Sequence, residues 1–320
     1  MLHKFSLKLI YAILRNQINS GGLFVKKLQG VITAMTTPFT VDGEVDVEAL
    51  EQQVEFQISK GVNCLYPCGT TGEMYLMTEA QRKLVAETVV KKAAGRVTVY
   101  IHCGAVNEDE VVRLANHASS IGADGVGIVT PSYFTLSPRM MVEYYKRVCA
   151  QLPKGFPVYV YVIPQCASND ITGETMQQIA DACKDNVIGV KYSFADMRRF
   201  MEYLKVNDNT FSVVFGPDDL FLPALILGGD GTVSGCASCM PEPFVEVYKL
   251  YNEGKFEEAR KVQLKCFDMV RALRGGADMS IFKNLQTVRG VRGGYMHKPL
   301  LDLLPEEVDA LLERMKPFME

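Results

Sequence analysis

A lysine at the end of an apolar segment is the residue best suited to covalent chemistry in this 320-residue chain. Lys191 follows the apolar run 187–190, which predicts a strand that is buried on both faces. An unpaired ammonium loses its hydration in such a place, so burial lowers the pKa of the lysine and favours the neutral amine. A neutral amine condenses with a carbonyl to form a Schiff base. The alternative is a strand-terminal lysine that extends its ammonium to solvent.

The elements that must position Lys191 alternate between strands and helices. Strands are predicted at 30–35, 64–67, 97–103, 126–129, 158–163, up to Lys191, 211–215 and 231–234. Helices are predicted at 47–60, from 79 to about 94, at 108–121, from Ser137-Pro138 onward, at 172–184, 220–227 and in several pieces over 244–318. Strands that alternate with helices through short connections indicate right-handed βαβ units and a parallel sheet.

About eight such units in roughly 210 residues predict an α/β fold, namely a (β/α)8 TIM barrel with additional C-terminal helices. We expect residues 1–27 to be an N-terminal extension outside the domain, residues 28–240 to form the barrel and residues 241–320 to form a C-terminal helical region. The apolar stretch at 7–15 is too short to span a bilayer.

The composition excludes several classes of protein. The 34 basic and 37 acidic residues are intermixed, so neither nucleic acid nor a membrane is an expected partner. Nine cysteines are scattered, often within apolar runs, which is typical of reduced core thiols and indicates a cytoplasmic protein. The Cys236–Cys239 pair has no second pair, and histidines and acids show no metal-ligand spacing, so we expect neither a metal nor a cofactor.

The polar residues that follow the strands suit a 2-oxo acid. In such barrels the chemistry lies at the carboxyl ends of the strands. Thr70 and Thr71 follow the second strand within a glycine-bounded loop, Tyr133 follows the fourth, and Tyr161 lies in the fifth. The loop can hold a carboxylate while Lys191 attacks the ketone and a tyrosine moves protons.

Four motifs occur in an order that resembles one enzyme family. They are Gly69-Thr70-Thr71-Gly72-Glu73, Tyr161-Val162-Ile163-Pro164, Gly189-Val190-Lys191 and Gly228-Gly229-Asp230-Gly231. From about Leu28 onward the chain is similar to the dihydrodipicolinate synthase and N-acetylneuraminate lyase family of class I pyruvate aldolases. The resemblance implies a homotetramer built from two tight dimers.

The resemblance also implies a role for each matching residue. Lys191 would form the Schiff base and Tyr161 would be the general acid and base. Thr70 and Thr71 would bind the carboxylate of the 2-oxo acid and relay protons, and Tyr133 would reach the site of a neighbouring subunit. The other residues expected to bind substrate are Gly69, Cys166, Ser193, Gly216, Asp218, Asp219 and Val233.

Departures from the family pattern bear on the substrate. Cys166 occupies the position where the synthase has an arginine that binds the second substrate's carboxylate, and a thiol cannot replace a guanidinium. Ser193 resembles a hydroxyl of the lyase branch. Asp218 and Asp219 either bind sugar hydroxyls, as in that branch, or cap the following helix. Gly235 falls where the lyase branch has a serine, which counts against sialic acid itself.

The expected function is that of a Schiff-base lyase that cleaves or forms a hydroxylated 2-oxo acid, such as a 2-keto-3-deoxy sugar acid or a sialic-acid-like compound. Pyruvate would be its product or substrate, with an aldehyde as the other partner. The alternatives are a 4-hydroxy-tetrahydrodipicolinate synthase, which Cys166 disfavours, a sugar-acid dehydratase, and a non-catalytic sensor of 2-oxo acids. A sensor has no need of the nucleophile Lys191.

Overall fold

Eight parallel strands pair in chain order, and the last strand pairs with the first to close a barrel. The computed structural model describes residues 25–276 and 278–319. The predicted (β/α)8 TIM barrel with additional C-terminal helices is confirmed. The strands are β1 Gly30–Ala34, β2 Cys64–Tyr66, β3 Thr98–His102, β4 Gly125–Val129, β5 Val158–Val162, β6 Val187–Tyr192, β7 Ser212–Phe215 and β8 Gly231–Ser234.

Helices surround the barrel and continue beyond it. Those that follow β1 to β7 are α1 Val47–Ser59, α2 Glu79–Ala93, α3 Glu108–Ser120, α4 Pro138–Cys149, α5 Pro164–Ala167, α6 Gly173–Ala182, α7 Met197–Leu204 and α8 Phe221–Leu227. Those that follow β8 are α9 Glu242–Asn252, α10 Phe256–Ala272, α11 Met279–Val288 and α12 Pro305–Met319. The helix α9 packs against β1 and α10, so the C-terminal region remains joined to the barrel.

Local capping signals explain where the barrel helices begin. The Asp46 side chain accepts a hydrogen bond from the backbone of α1. Thr78 and Gln81 form a reciprocal capping box at α2, and Ser137 caps α4 directly before Pro138. Each of these side chains satisfies a backbone N–H group that has no partner within the first helical turn. The predicted starts of α2 and α4 are confirmed.

Three short α-helical segments were not predicted from the sequence, namely α5, α7 and the four-residue segment Val206–Asn209 that follows α7. The helix α5 is a single turn after β5, and α7 buries only Phe200 and Tyr203 among its eight residues. Segments this short carry little periodic signal, because one or two buried positions do not define a helical face. Asp196, which caps α7, was the one local indication of its start.

The barrel interior is filled by apolar and aromatic side chains from alternate positions of the strands, as expected for a small closed barrel. They are Ile32, Ala34, Cys64, Tyr66, Tyr100, Tyr159, Val214 and Val233. Leu28 closes the amino end of the barrel, where its N–H donates to the Tyr159 hydroxyl at 3.1 Å. The carboxyl end is therefore the end at which polar groups can approach a ligand.

Residues directly before the predicted start of the barrel also contact it. Val25 is buried, and Lys26 Nζ lies 3.0 Å from Asp124 Oδ1, so residues 25–27 pack against the barrel. The remainder of the predicted extension, residues 1–24, lies outside the described residues. Within the described residues, we find no helix that has the length and apolar character needed to cross a membrane.

Candidate active site

Lys191 lies deep in the barrel at the carboxyl end of β6. The ladder pairs it with Tyr161 of β5 on one side and Val214 of β7 on the other. Its Nζ lies 3.8 Å from the centroid of the Tyr161 ring and 4.4 Å from that of the Tyr66 ring. The residue is only 3% exposed, so the alternative of a lysine that extends to solvent is wrong.

The surroundings of Lys191 favour its neutral form. Burial lowers the pKa of the amine from 10.5 to about 7, and the carboxyl group of Asp218 opposes this shift. The two tyrosine rings stabilise the ammonium through cation–π attraction. This attraction is weak compared with the hydration that the ammonium has lost. A substantial fraction of Lys191 is therefore unprotonated near neutral pH and able to act as a nucleophile.

Tyr161 supplies a phenol next to the amine. Its hydroxyl lies 3.2 Å from Thr70 Oγ1. Burial raises the pKa of Tyr161 to about 12, and hydrogen bonds to Thr70 and Ser193 oppose that shift. The phenol therefore carries its proton at neutral pH, while its anion is a strong base, so the residue is suited to donate a proton and then recover one.

The loop after β2 is folded into tight turns that hold Thr70 next to Tyr161. Gly72 N donates to Gly69 O, and Glu73 N donates to Thr70 O, each at 3.0 Å. Thr37 Oγ1 donates to Gly72 O at 3.0 Å, which ties the loop to the segment after β1. The loop predicted to bind a carboxylate is thus fixed at the carboxyl end of the barrel.

Two glycines allow the neighbouring loops to approach closely. A Cβ atom at Gly216 would lie 2.2 Å from Ser193 Oγ, so only glycine leaves room for this serine. A Cβ atom at Gly235 would lie 3.3 Å from Thr71 Oγ1 and 3.2 Å from Phe282 Cε2. The structure therefore brings Ser193 beside Gly216, and Thr71 beside Gly235 and α11.

Asp218 is a buried carboxyl group near the lysine. It begins the 3-10 turn Asp218–Leu220 and is 8% exposed. Burial raises its pKa to about 6, while hydrogen bonds involving Ser234 and Cys236 oppose that shift. Its Oδ1 has no hydrogen-bond partner within the described residues. One oxygen of Asp218 is thus buried without a polar partner among the described residues.

Asp219 is placed differently from Asp218. It lines a surface groove between α8 and α10, together with Leu222 and Phe267. Gln263 Nε2 donates to the carbonyl groups of both aspartates, at 3.2 and 3.1 Å. The helix α8 begins without a side-chain cap, so the alternative interpretation of these aspartates as helix caps is wrong.

Cys166 and Val233 occupy contrasting positions. Cys166 is exposed on α5, and the adjacent Gln165 Nε2 donates to Ser193 O at 2.7 Å, which holds this helix against the loop after β6. Val233 is buried in the interior layer of the barrel. The thiol is therefore near the entrance of the site, whereas the valine lies deeper, in the interior of the barrel.

Tyr133 lies on the surface of its own protomer. It is 84% exposed and has a φ of +75°, and its ring packs edge-on against Phe134 with centroids 5.1 Å apart. The structure does not bring it to Lys191 within one chain. Its predicted role requires a neighbouring subunit.

Sequence reasoning missed Tyr66 and did not assign a role to His102. Both rings lie near Tyr161: the ring centroids are 6.5 Å apart for Tyr66 and 5.6 Å apart for His102. His102 Nδ1 is 3.0 Å from Cys68 O, and burial holds the pKa of the imidazole well below 6.5, so it is neutral. The only indication in the sequence was the position of these residues. Each is the last residue of a strand, directly before a loop at the carboxyl end of the barrel.

The described residues contain no group of three or more histidine, cysteine, aspartate or glutamate side chains that could hold a metal ion. Lys191 supplies an amine, and the groups gathered around it are a phenol, hydroxyls and a carboxyl. Such a set can form a Schiff base with a carbonyl compound and move protons around it.

Comparisons with known proteins agree with this geometry. Residues 27–316 match the dihydrodipicolinate synthetase family. The chain is 33% identical to a 4-hydroxy-tetrahydrodipicolinate synthase from Aquifex aeolicus, over 91% of this chain and 97% of the relative. It is 34% identical to a probable 2-dehydro-3-deoxy-D-pentonate aldolase from Escherichia coli, over 77% of this chain and 81% of the relative.

A solved structure supports the same assignment. The crystal structure of dihydrodipicolinate synthase from Aquifex aeolicus superposes with a TM-score of 0.85 at 33% sequence identity, covering 91% of this chain and 98% of that chain. The chain therefore belongs to the dihydrodipicolinate synthetase family and is a lyase of the class I aldolase type.

Proposed function

We propose that the protein is a Schiff-base lyase that cleaves or forms a hydroxylated 2-oxo acid, with pyruvate as product or substrate. The observation that carries this proposal is the amine of Lys191, whose pKa is lowered to about 7 and which lies 3.8 Å from the ring centroid of Tyr161. A buried lysine without a paired carboxylate is costly to keep in a fold, and covalent chemistry with a carbonyl gives it a use.

In the cleavage direction, Lys191 Nζ attacks the C2 carbonyl of the substrate. Tyr161 gives its proton to the resulting hydroxyl, which leaves as water, and an iminium remains. The phenolate then takes the proton of the C4 hydroxyl and the C3–C4 bond breaks. C4 leaves as the carbon of an aldehyde, and the electrons of the broken bond form an enamine. Protonation at C3 and hydrolysis release pyruvate and regenerate Lys191. Thr70, 3.2 Å from the phenol, relays protons.

The residues near the entrance favour a neutral, hydroxylated aldehyde portion. Cys166 on α5 offers no positive charge to a second carboxylate. Asp218 Oδ1 has no partner among the described residues, and such an oxygen accepts well from a hydroxyl group. These features support a 2-keto-3-deoxy sugar acid over an anionic semialdehyde.

The synthase activity is the second candidate, because a relative that is 33% identical carries that name. The relative named as a pentonate aldolase is similar at 34% identity, so overall identity does not separate the two. The chemistry of position 166 is the more specific criterion, since one guanidinium–carboxylate pair contributes about 1.5–3 kcal/mol.

Borohydride reduction in the presence of pyruvate tests the proposal. We expect a pyruvate-dependent mass increase on the protein that peptide mapping assigns to Lys191, and no increase in a Lys191→Met variant. A folded wild-type protein that gives no adduct at saturating pyruvate would contradict the Schiff-base mechanism.

Product analysis then separates the possible reactions. Incubation with 2-keto-3-deoxy sugar acids yields pyruvate and an aldehyde if the protein is an aldolase. A dehydrated product with the same carbon skeleton indicates the dehydratase instead. Adduct formation without turnover of any sugar acid or semialdehyde would favour the sensor.

We also propose that the protein works as a homotetramer in the cytoplasm. Large apolar side chains are exposed around Tyr133, some close to it in the sequence and others beside its loop. An exposed apolar surface of this kind is typical of one that another subunit covers. These side chains are Tyr75, Val106, Phe134 and Met140. A second copy that covers this surface would bring Tyr133 to the neighbouring active site.

A further inference from the structure

A buried ion pair joins the Thr70-Thr71 loop to the C-terminal helical region. Lys283 Nζ of α11 lies 2.5 Å from Glu73 Oε1, and the two side chains are 1% and 0% exposed. Glu73 is the last residue of the loop motif, three positions after Thr70. None of the catalytic steps above uses either residue.

Both members of the pair make further polar contacts with the C-terminal region. Lys283 Nζ also donates to Tyr295 O at 2.6 Å, and Glu73 Oε2 accepts from His297 N at 2.8 Å. The Lys283 ammonium lies 4.8 Å from the centroid of the Phe39 ring. One carboxylate and one ammonium thus connect the loop, α11 and the segment after α11.

The backbone at Glu73 depends on these contacts. Its φ is +62°, a left-handed conformation that costs free energy for any residue other than glycine. Such a conformation persists when surrounding contacts hold it in place. The ion pair and the His297 N–H provide those contacts, directly after the turn that carries Thr70 and Thr71.

The helix α11 contacts the site at a second point. Phe282 is adjacent to Lys283 in this helix. A Cβ atom on Gly235 would lie 3.2 Å from the Phe282 ring and 3.3 Å from Thr71 Oγ1. Phe282 of this helix and Thr71 therefore both lie beside Gly235, while Lys283 of the same helix pairs with Glu73 at the end of the loop.

We propose that Glu73 and Lys283 are positioning residues that hold Thr70 and Thr71 in the geometry needed to bind the carboxylate of the 2-oxo acid. The C-terminal helical region then has a role in catalysis, because it supplies the ammonium that fixes the loop. This inference rests on the proposed function for the identity of the ligand. It concerns groups that touch neither the substrate nor Lys191.

The test compares Lys283→Met, Glu73→Gln and Lys283→Arg with the wild-type protein. The concentration of pyruvate that gives half-maximal borohydride trapping should rise about tenfold or more in Lys283→Met and Glu73→Gln, because a displaced loop binds the carboxylate poorly. The trapping rate at saturating pyruvate should change much less. Lys283→Arg keeps the charge and should restore part of the affinity.

Arg289→Met is the matched control. Arg289 follows α11 directly and pairs with Glu242 of α9, so its loss also weakens the contact between the C-terminal region and the rest of the fold. We expect this variant to lower thermal stability while leaving the half-saturating pyruvate concentration unchanged. A rise in that concentration equal to that of Lys283→Met would mean that both variants act through general destabilisation, which would overturn the proposal.

Hydrogen exchange keeps the inference testable without any ligand. In Lys283→Met, amides of residues 69–74 should exchange faster than in wild type, whereas Arg289→Met should leave them unchanged. Unchanged exchange and unchanged half-saturation in folded Lys283→Met and Glu73→Gln would refute the positioning role. The wild-type protein could fail to trap pyruvate while exchange of residues 69–74 still increases in Lys283→Met. In that case the proposed function is wrong, and the role of the ion pair in positioning the loop is retained.

Discussion

The amine of Lys191 gains its reactivity from what surrounds it at the scale of single residues. Tyr66 and Tyr161 place aromatic rings 4.4 and 3.8 Å from Nζ, and Asp218 is the carboxyl group that favours its protonated form. His102 is held neutral by burial. Desolvation therefore outweighs the charge of Asp218, and the pKa of the amine falls.

The pH dependence of Schiff-base formation should reveal this balance. Because the pKa of Lys191 is lowered to about 7, the neutral amine becomes more abundant as pH rises through 7. The trapping rate at saturating pyruvate should rise with a midpoint near that pH and then level off. Tyr161→Phe should lower the rate while keeping the midpoint. A rate that continues to climb beyond pH 9 would mean an ordinary lysine.

Among the elements, short segments that follow the strands lie around the carboxyl end of the barrel. The single-turn helix α5 places position 166 near the entrance, and Gln165 holds it to the loop after β6. The tight loop after β2 and the 3-10 turn at Asp218–Leu220 complete the rim. We therefore expect the barrel to supply the reactive groups and these segments to supply the selectivity.

Cys166→Arg should change the preference for the second substrate. A guanidinium on α5 can pair with a carboxylate, so kcat/KM for condensation of pyruvate with succinic semialdehyde should rise about tenfold relative to that with glyceraldehyde. Cys166→Ser, which adds no charge, is the control. Equal effects of both substitutions on the two aldehydes would show that position 166 does not contact the second substrate.

At the scale of the whole molecule, one protomer carries the Lys191 site but leaves Tyr133 on its surface. Tyr133 has a φ of +75°, and its side chain is 84% exposed. The apolar side chains near it give a neighbouring subunit a surface to cover. We therefore expect the complete site to form only between subunits.

Mixed oligomers test this expectation. Lys191→Met and Tyr133→Phe chains, co-expressed with two different tags and purified through both, should regain up to about half of the wild-type activity per dimer, since one of two sites is complete. Lys191→Met mixed with Tyr161→Phe should remain inactive, because those two residues act within one protomer. Tyr133→Phe chains alone should be nearly inactive. Full activity of these chains by themselves, or no activity in their mixture with Lys191→Met, would place Tyr133 outside the neighbouring site.

The barrel could be predicted from the order of residues alone, and so could a lysine at the end of its sixth strand. The alternation of strands and helices indicates a parallel sheet. In an apolar strand that ends in Lys191, the ammonium is either buried or extends to solvent. The helix starts at Thr78 and Ser137 were readable because capping depends on neighbouring residues alone. Thr70, Tyr161 and Lys191 were predicted as site residues from position, since each lies in a strand or shortly after one.

Which polar residues lie in contact became known from the packing of the folded chain. Asp218 and Asp219 are adjacent in sequence, yet one is buried near the lysine and the other lines an outer groove. Glu73 and Lys283 are 210 positions apart and form a buried pair. Local sequence does not encode such contacts, because they depend on how distant elements pack and on which charges that packing removes from water.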